Sequence, residues 1–323
     1  MIYTAGVDVG GTNIVCGLIN AAGEVVIKAK DPTSADKGPQ AIIQGIAERI
    51  RHLCAETGIG TDQLTVIGMG IPGLVDPVQG ISLRAVNLQW THVPVAEALR
   101  RILGIPVYID NDVRMYVYGE AACGAGRGFN HVFGITIGTG LASAFVNHGQ
   151  MYHGHRFIAG EIGHAPMDEI DSVCNCGNTG CLETVVSATG IARQARQRIL
   201  NGESSLLRNW IPDTNQINAG DVSRACESGD RMSRDILSHT GRILGRALSW
   251  VVPVLSPDVI IIGGGGALAG DALVGPMQQE LNRRLLRDYL GHFTVKYAEL
   301  NDDAGIIGSG IWALRQFNER RGQ

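Results

Sequence analysis

Lysine is scarce in this 323-residue chain: Lys28, Lys30, Lys37 and Lys296 are all there are, and none follows a glycine. That excludes a Walker A phosphate loop, which needs a glycine–lysine step. The net charge of −4 comes without any basic run, so the electrostatic footprint of nucleic-acid binding is missing. No apolar stretch is long enough to span a membrane, and there is no secretory signal and no lipidation box. The expected setting is a reduced cytoplasm, with neither membrane nor nucleic acid among the partners. Linkers, charge runs and low-complexity tracts are also lacking. Aromatics make up only 5% against 44 glycines, the composition of an α/β protein with many tight turns. The length exceeds one typical core and predicts two domains acting on a small molecule.

Cysteine is unevenly spread. Cys16, Cys54, Cys123 and Cys226 are scattered through apolar segments and read as core thiols, whereas Cys174, Cys176 and Cys181 cluster, with His164 ten residues ahead of the first. Three thiolates and an imidazole are the donor set of a closed tetrahedral zinc site. Gly177 and Gly180 sit where a chelating loop must turn. Three ordinary buried cysteines are the competing reading, and the glycines weigh against it. A redox pair fits less well, because the spacing is Cys-x-Cys.

Glycine marks two further places. Gly6-Val-Asp-Val-Gly-Gly-Thr12 reads as a strand, a turn and the start of a second strand, with Asp8 near the strand end. Gly10, Gly11 and Thr12 offer N–H groups and a hydroxyl to an anion. Gly134-Ile-Thr-Ile-Gly138-Thr139-Gly140 repeats the pattern about 130 residues later, which predicts a duplicated domain whose turns grip a polyphosphate across a cleft. Gly68-Met-Gly-Ile-Pro-Gly73 fits G-x-G-x-x-G, but Leu-Val-Asp-Pro follows instead of a helix, so it is not a dinucleotide fingerprint. Gly263–Gly266, including Gly264 and Gly265, follows an apolar strand. It serves either an adenine or ribose against bare backbone or simply a strand-to-helix turn.

Periodicity predicts strands near 2–9, 14–20 and 24–30, then a helix from Pro39 to Gly58 with Ile42, Ile43, Ile46, Ile50 and Leu53 as its apolar stripe. A strand at 65–71, a helix at 94–103 and a strand at 106–110 follow. The second half has strands at 132–137 and 141–146, helices at 183–200, 230–252 and 271–290, strands at 258–262 and 294–300, and a last helix from Ala304. Domains are expected at 1–112, completed by the helix at about 304–323, and at 113–303, with the knuckle at 164–181.

Asp112 is the candidate general base. It ends the apolar stretch Pro106-Val-Tyr-Ile-Asp-Asn-Asp112 at the hinge between the proposed halves, placed to accept a proton from a substrate hydroxyl, with Asn111 beside it. Capping of the helix that starts at Val113 is the alternative role, and both can hold. Asp110, on the opposite side of the strand, and Glu120, within the helix, are the other candidates.

Taken together, Asp8-Val-Gly-Gly-Thr12, Asn111-Asp112 with Gly119-Glu120, Gly138-Thr-Gly140, Gly160-Glu-Ile-Gly-His164, Cys174-x-Cys-Gly-x-x-Gly-Cys-Leu-Glu183 and Gly263-Gly-Gly resemble the ROK group of sugar kinases and sugar-responsive repressors, within the superfamily of actin, hexokinase and the Hsp70 chaperones. The resemblance covers the whole chain. It implies two ribonuclease H-like (actin-like ATPase) domains with an interdomain cleft and a structural zinc knuckle, and a homodimer. It implies that Asp112 is the base, that Glu161, His164 and Glu183 hold other sugar hydroxyls, and that Gly73, Asn87 and Asn111 contribute. The same histidine would ligate zinc and touch sugar. ATP with Mg²⁺ would lie along Asp8, Gly10, Gly11, Thr12, Gly138, Thr139 and Gly140, with Gly264 and Gly265 beyond.

The implied activity is transfer of the γ-phosphoryl of ATP to a hexose, with glucose to glucose 6-phosphate as the default. Allose, fructose, N-acetylmannosamine and N-acetylglucosamine are alternative acceptors, and a non-catalytic sugar sensor is the alternative class. Asp8 lies so near Met1 that no DNA-binding domain is expected ahead of it. Two departures bear on specificity: Leu141-Ala142-Ser143 replaces the family's usual glycines, and Arg114, Met115 and Tyr116 bring bulk next to the base.

Overall fold

Alternation builds the first strand, β1 (Tyr3–Val9): Ala5, Val7 and Val9 are fully buried on one face, while Thr4, Gly6 and Asp8 turn to the other. In the computed structural model, which describes residues 2–322, β1 pairs antiparallel with β2 (Asn13–Asn20), and β2 with β3 (Val25–Pro32). Residues 1 and 323 of the expected domain ranges lie outside the described residues. Helix α1 (Gly38–Thr57) buries the predicted isoleucine stripe against this sheet and stops at Gly58, whose φ of 69° is left-handed.

Strand β4 (Leu64–Ile71) lies parallel to β1. A small antiparallel sheet of β5 (Leu74–Asp76), β6 (Ile81–Ala85) and β7 (Trp90–Val93) follows, then α2 (Val95–Leu103), β8 (Val107–Asn111) and α3 (Asp112–Cys123). The small sheet was not anticipated, because strands of three to five residues are too short to show a period. The main sheet has the order β3-β2-β1-β4-β8, with β1, β4 and β8 parallel.

The chain continues through β9 (His131–Ile137), β10 (Leu141–Asn147), β11 (Gln150–Met151), α4 (Glu183–Val186), α5 (Ala188–Leu200), α6 (Leu207–Trp210), α7 (Ala219–Glu227), α8 (Arg231–Leu255), β12 (Val259–Gly263), α9 (Asp271–Arg284), β13 (Thr294–Tyr297) and α10 (Ala304–Arg321). The second sheet has the order β11-β10-β9-β12-β13, which repeats that of the first. Here β12 is parallel to both β9 and β13. The helix expected over 183–200 is two, because Ser187 leaves helical geometry and its hydroxyl caps α5 at the Gly190 N–H. The helix expected to reach residue 290 stops at Arg284, and the strand expected to reach 300 stops at Tyr297. No helix among the described residues is long and apolar enough to cross a membrane.

The chain divides into two compact units, Met1–Asn130 with Ala144–Ala159 and Glu299–Gln323, and His131–Ser143 with Gly160–Ala298. The division expected at Asp112 falls at the first residue of α3. That helix packs on α10, and the first unit runs on to Asn130.

Helix α10 is seated on backbone. A Cβ at Gly6 or Gly68, neighbours in the β1–β4 register, would overlap the carbonyl oxygens of Ile306 and Ser309. On its other side, a Cβ at Gly308 would overlap the Met115 carbonyl oxygen and lie 2.7 Å from the Gly119 nitrogen. Glycine-to-alanine in a helix ordinarily stabilises by about 1 kcal/mol, whereas overpacking costs about 1–3 kcal/mol. Since the obstacle is backbone, the second effect wins at Gly308. Gly308→Ala is therefore expected to lower the unfolding midpoint. Gly45→Ala in α1, where a Cβ meets nothing within 4 Å, is expected to raise it. Urea titrations that move both variants in the same direction would contradict this account of the α10 seat.

Candidate active site and metal-ligand cluster

In the first unit the predicted residues collect at the carboxyl ends of the three parallel strands, where ligands of open α/β sheets bind. Asp8, Gly70 and Asp110 are register neighbours across β1, β4 and β8, and Asn111 pairs with Ile71. After β1 the Gly10–Asn13 turn closes through Gly10 N to Asn13 O at 2.8 Å, and Gly10 O accepts the Thr33 hydroxyl at 2.7 Å. Gly11 and Thr12 are exposed at its tip. Asn87, also exposed, comes to this turn: a Cβ on Gly11 would sit 3.3 Å from that of Asn87. Gly73, at φ 85°, is followed by β5 and not by a helix, as expected of a false dinucleotide motif.

The base candidate is tightly placed. Asn111, not Asp112, caps α3, its Oδ1 accepting the Arg114 N–H at 3.1 Å. Its Nδ2 donates to Asp112 Oδ1 at 3.0 Å and to Gly73 O at 3.1 Å, and Val113 N also donates to Asp112 Oδ1 at 2.9 Å. The capping role expected for Asp112 thus passes to its neighbour, and Asp112 is the first helical residue. Behind it a Cβ on Gly70 would lie 3.1 Å from the Asp112 Cα, so glycine lets β4 pass close without crowding the base candidate.

The rival carboxylates have other partners. Glu120 is fully buried and accepts the N–H groups of Ala125, Glu299 and Leu300. Asp110 is fully buried and meets Arg114 and His153. Of the bulk expected to reshape the sugar pocket, Arg114 and Met115 turn inward, while Tyr116 is half-buried. Arg114 is buried against Asp110, and Met115 is buried under Gly70, because that face of α3 packs toward β4 and α10.

Sequence reasoning missed what surrounds Asp8. Gly305 at the start of α10 approaches so closely that a Cβ there would be 2.6 Å from Asp8 Oδ2. Burial, reinforced by the charges of Asp112 and Asp302, pushes the Asp8 carboxyl up to about 7. Two of these three acidic residues lie more than 100 positions from Asp8, so only the fold brings them together.

The second unit assembles the rest. His164, Cys174, Cys176 and Cys181 present one ligand atom each within 4.8 Å of one another. Cys176 Sγ lies 3.6 Å from Cys181 Sγ, and Cys174 Sγ 3.8 Å from His164 Nδ1. A tetrahedron with metal–sulfur bonds of about 2.3 Å has edges of about 3.8 Å, so the spacing fits a zinc-sized ion. Burial and the neighbouring Glu183 hold the Cys174 thiol up at about 12, so a thiolate there needs a cation beside it.

Glu183 joins this cluster to the second glycine turn. Its Oε1 is 2.9 Å from Cys174 Sγ and 3.7 Å from His164 Nδ1. Its Oε2 would lie 2.9 Å from a Cβ on Gly140. His164 Nε2 points the other way, 3.8 Å from Glu161 Oε2. Thr139, Gly140, Cys174 and Glu183 line one cavity of about 350 Å³. Gly138 O accepts Ala188 N, and Thr139 O accepts the Thr189 hydroxyl, so the turn is bonded to the start of α5. Gly264, at φ 81°, and Gly266 press on Ile137, next to Gly138, while Gly265 has open space around it. The Leu141-Ala142-Ser143 departure has a local reason: Ser143 donates to Gly160 O through its N–H at 2.8 Å and its hydroxyl at 3.0 Å, fixing the residue before Glu161. A larger cavity of about 560 Å³ lies between α1 and β2–β3, lined by Cys16, Asp31 and Arg49, with none of the motif residues.

The sequence matches the ROK family model over residues 4–316. The chain belongs to the ROK family. It is 36% identical to the glucokinase of Halalkalibacterium halodurans, covering 97% of this chain and 95% of that one. Among solved structures it is similar to a ROK family glucokinase from Streptomyces griseus in complex with glucose and AMPPNP, with TM-score 0.80 and 29% identity over 97% and 99% of the two chains. It is also similar to a ROK family transcriptional regulator, a homologue of the E. coli MLC protein, with TM-score 0.88 and 26% identity, over 98% of this chain and 79% of that one.

The folded chain holds the Asp8 proton more tightly than an unfolded chain, where the carboxyl titrates near 3.8. This group therefore costs stability as the pH rises from about 4 to about 7. Asp8→Asn is expected to be more stable than the parent at pH 8 and no more stable at pH 4, by urea unfolding. The same shift at both pH values would rule out the carboxyl as its cause.

Proposed function

We propose that this chain is an ATP-dependent hexose kinase and that glucose is its acceptor, with Asp112 as general base and Glu161, His164 and Glu183 as the sugar-binding set. One observation carries the reading: the two nitrogens of His164 are divided, Nδ1 toward the cysteine sulfurs and Glu183, Nε2 toward Glu161. A histidine arranged in this way can bind a metal with one nitrogen and a sugar hydroxyl with the other. Glucose is taken from the glucokinases to which the chain is similar.

Phosphoryl transfer passes through a loose transition state, so the protein acts by positioning and by neutralising charge. Asp112 takes the proton of the attacking hydroxyl, and Asn111 keeps its carboxylate aimed by a 3.0 Å hydrogen bond. Glu161 and Glu183 accept hydrogen bonds from other hydroxyls, which fixes the sugar ring relative to the base. The amides of Gly10, Gly11, Thr12, Thr139 and Gly140 spread over phosphate oxygens, with Gly138, Gly264 and Gly265 as close-approach backbone for the nucleotide. Gly73 O and Asn87 complete the sugar side, the former through Asn111. Mg²⁺, held with the phosphates near Asp8, would screen the charge that Asp8 and Asp112 impose on each other. Zn²⁺ bound by His164, Cys174, Cys176 and Cys181 would lock the knuckle and is not needed as a catalyst. In this reading the two units are the two actin-like ATPase domains.

Similarity to a regulator of the same family at TM-score 0.88 favours one second reading, a sugar sensor without turnover. A coupled ADP-release assay over glucose, allose, mannose, fructose, N-acetylglucosamine and N-acetylmannosamine separates them. Turnover supports the kinase, and sugar binding without turnover supports the sensor.

Asp112→Asn is expected to lower kcat about 10²- to 10⁴-fold while sugar affinity by calorimetry is retained. Unchanged turnover would remove Asp112 from the mechanism. Cys176→Ala is expected to lose bound zinc, measured by plasma mass spectrometry, and with it much of the roughly 10 kcal/mol that structural zinc contributes. A folded, zinc-free and fully active variant would refute the positioning role of the metal.

A further inference from the structure

Arg114 takes no part in the chemistry above, yet few side chains in the first unit are tied so heavily. Its guanidinium is 3.0 Å from Asp110 Oδ1 and donates to the carbonyls of Phe157 and Ala159 at 2.6 and 3.1 Å. The other Asp110 oxygen is 2.6 Å from His153 Nε2, and its Oδ1 also accepts the Asn111 N–H at 2.7 Å. Asp110 and Arg114 are 0% and 5% exposed at their side chains. Asp110 is on the end of β8 and Arg114 in the first turn of α3, so the pair brackets Asn111 and Asp112 and braces the corner that carries them. A buried ion pair is weak evidence for stability, but one with every group bonded fixes geometry.

The far side of this network is strained. Arg156 and Phe157 have φ of 56° and 61°, a left-handed conformation that side chains other than glycine's avoid, here twice in succession. Besides the two bonds from Arg114, the turn is tied by Ala159 N to His153 O at 3.1 Å and by the edge of His153 on the Phe157 ring, centroids 6.0 Å apart. The segment runs directly into Gly160 and Glu161.

Resting on the reading of Asp112 as the base, we infer that Asp110, Arg114 and His153 form a latch that holds the strained segment 153–159 on the β8–α3 corner and thereby sets the position of Asp112. All three are positioning residues. Lysine cannot replace Arg114 in this role, because a single ammonium group lacks the planar fork that reaches a carboxylate and two carbonyls together.

The test compares the full-length parent with Arg114→Lys, which keeps the charge beside Asp110, and with His153→Asn, which leaves the Asp110–Arg114 pair intact. Sugar phosphorylation is measured together with the thermal melt and with brief native trypsin digestion. The cut after exposed Arg156 is followed by mass spectrometry against other arginine sites as internal references. In Arg114→Lys, cleavage after Arg156 is expected to accelerate about 10-fold as the segment opens. Its kcat is expected to fall by about 10-fold or more, with KM for MgATP unchanged and the melt lowered but still well above the assay temperature, because the Phe157 and Ala159 carbonyls lose a donor. His153→Asn is expected to move the same way by less. Unchanged Arg156 cleavage in folded variants overturns the latch. Faster cleavage with unchanged kcat overturns its hold on Asp112. If the parent itself phosphorylates no sugar, the kinase reading fails separately, and the cleavage rates still decide whether the latch exists.

Discussion

At Gly6 and Gly68 helix α10 meets β1 and β4 backbone against backbone, and the rest of the first unit depends on that contact. Gly6 and Gly68 are register neighbours, and the carbonyls of Ile306 and Ser309 lie where their side chains would be. The Ser309 hydroxyl adds a bond to Val7 O. Because α10 is this close, its first turn crowds Asp8 through Gly305, and its middle takes in α3 through Gly308 and Gly119. The burial that raises the Asp8 carboxyl and the placement of α3, and so of Asp112 at its first position, both follow from one backbone contact.

Much of this was legible in the sequence. The apolar strands expected near 2–9 and 14–20 around a glycine turn, the isoleucine stripe of α1 and the spacing of the three cysteines are each a local signal, and the structure has strands, a helix and a candidate ligand cluster at those places. What was not legible depends on contacts remote in sequence. Arg114 was expected to crowd the pocket, but its partner is Asp110 four residues earlier, across a strand–helix corner where helical spacing rules do not apply. The glycines of α10 were visible as letters, but not what they approach. The charge that Asp302 adds at Asp8 is of the same kind.

In the second unit the segment 161–181 has little apolar core of its own. Between Glu161 and Cys181 few side chains are buried, chiefly Met167, Ile170, Cys174 and Cys181. Two isolated bridges, Pro166 with Cys181 and Val173 with Thr179, hold the backbone. So little buried apolar surface is a weak anchor for so many turns. On the zinc reading, the free energy of metal binding supplies the missing stability, and it acts at His164, the residue that also faces Glu161. Folding and sugar positioning then depend on the same bonds.

Asp110 and Asp112 show how neighbouring carboxylates acquire different uses. Strand alternation would put them on one face, but β8 ends between them and Asp112 opens α3, so the turn from strand into helix sends them to different surroundings. Asp110 is sealed in and balanced by Arg114 and His153, while Asp112 stays half-buried at the start of α3, close enough to Asp8 for the two charges to interact. Balancing Asp110 also keeps a third acidic charge from adding to a corner where Asp8 and Asp112 already repel each other. Environments that push paired acids apart are the usual way one fold separates a structural carboxylate from a reactive one. On the proposed reading the two roles lie two positions apart, and the one residue between them, Asn111, caps the helix and aims the base.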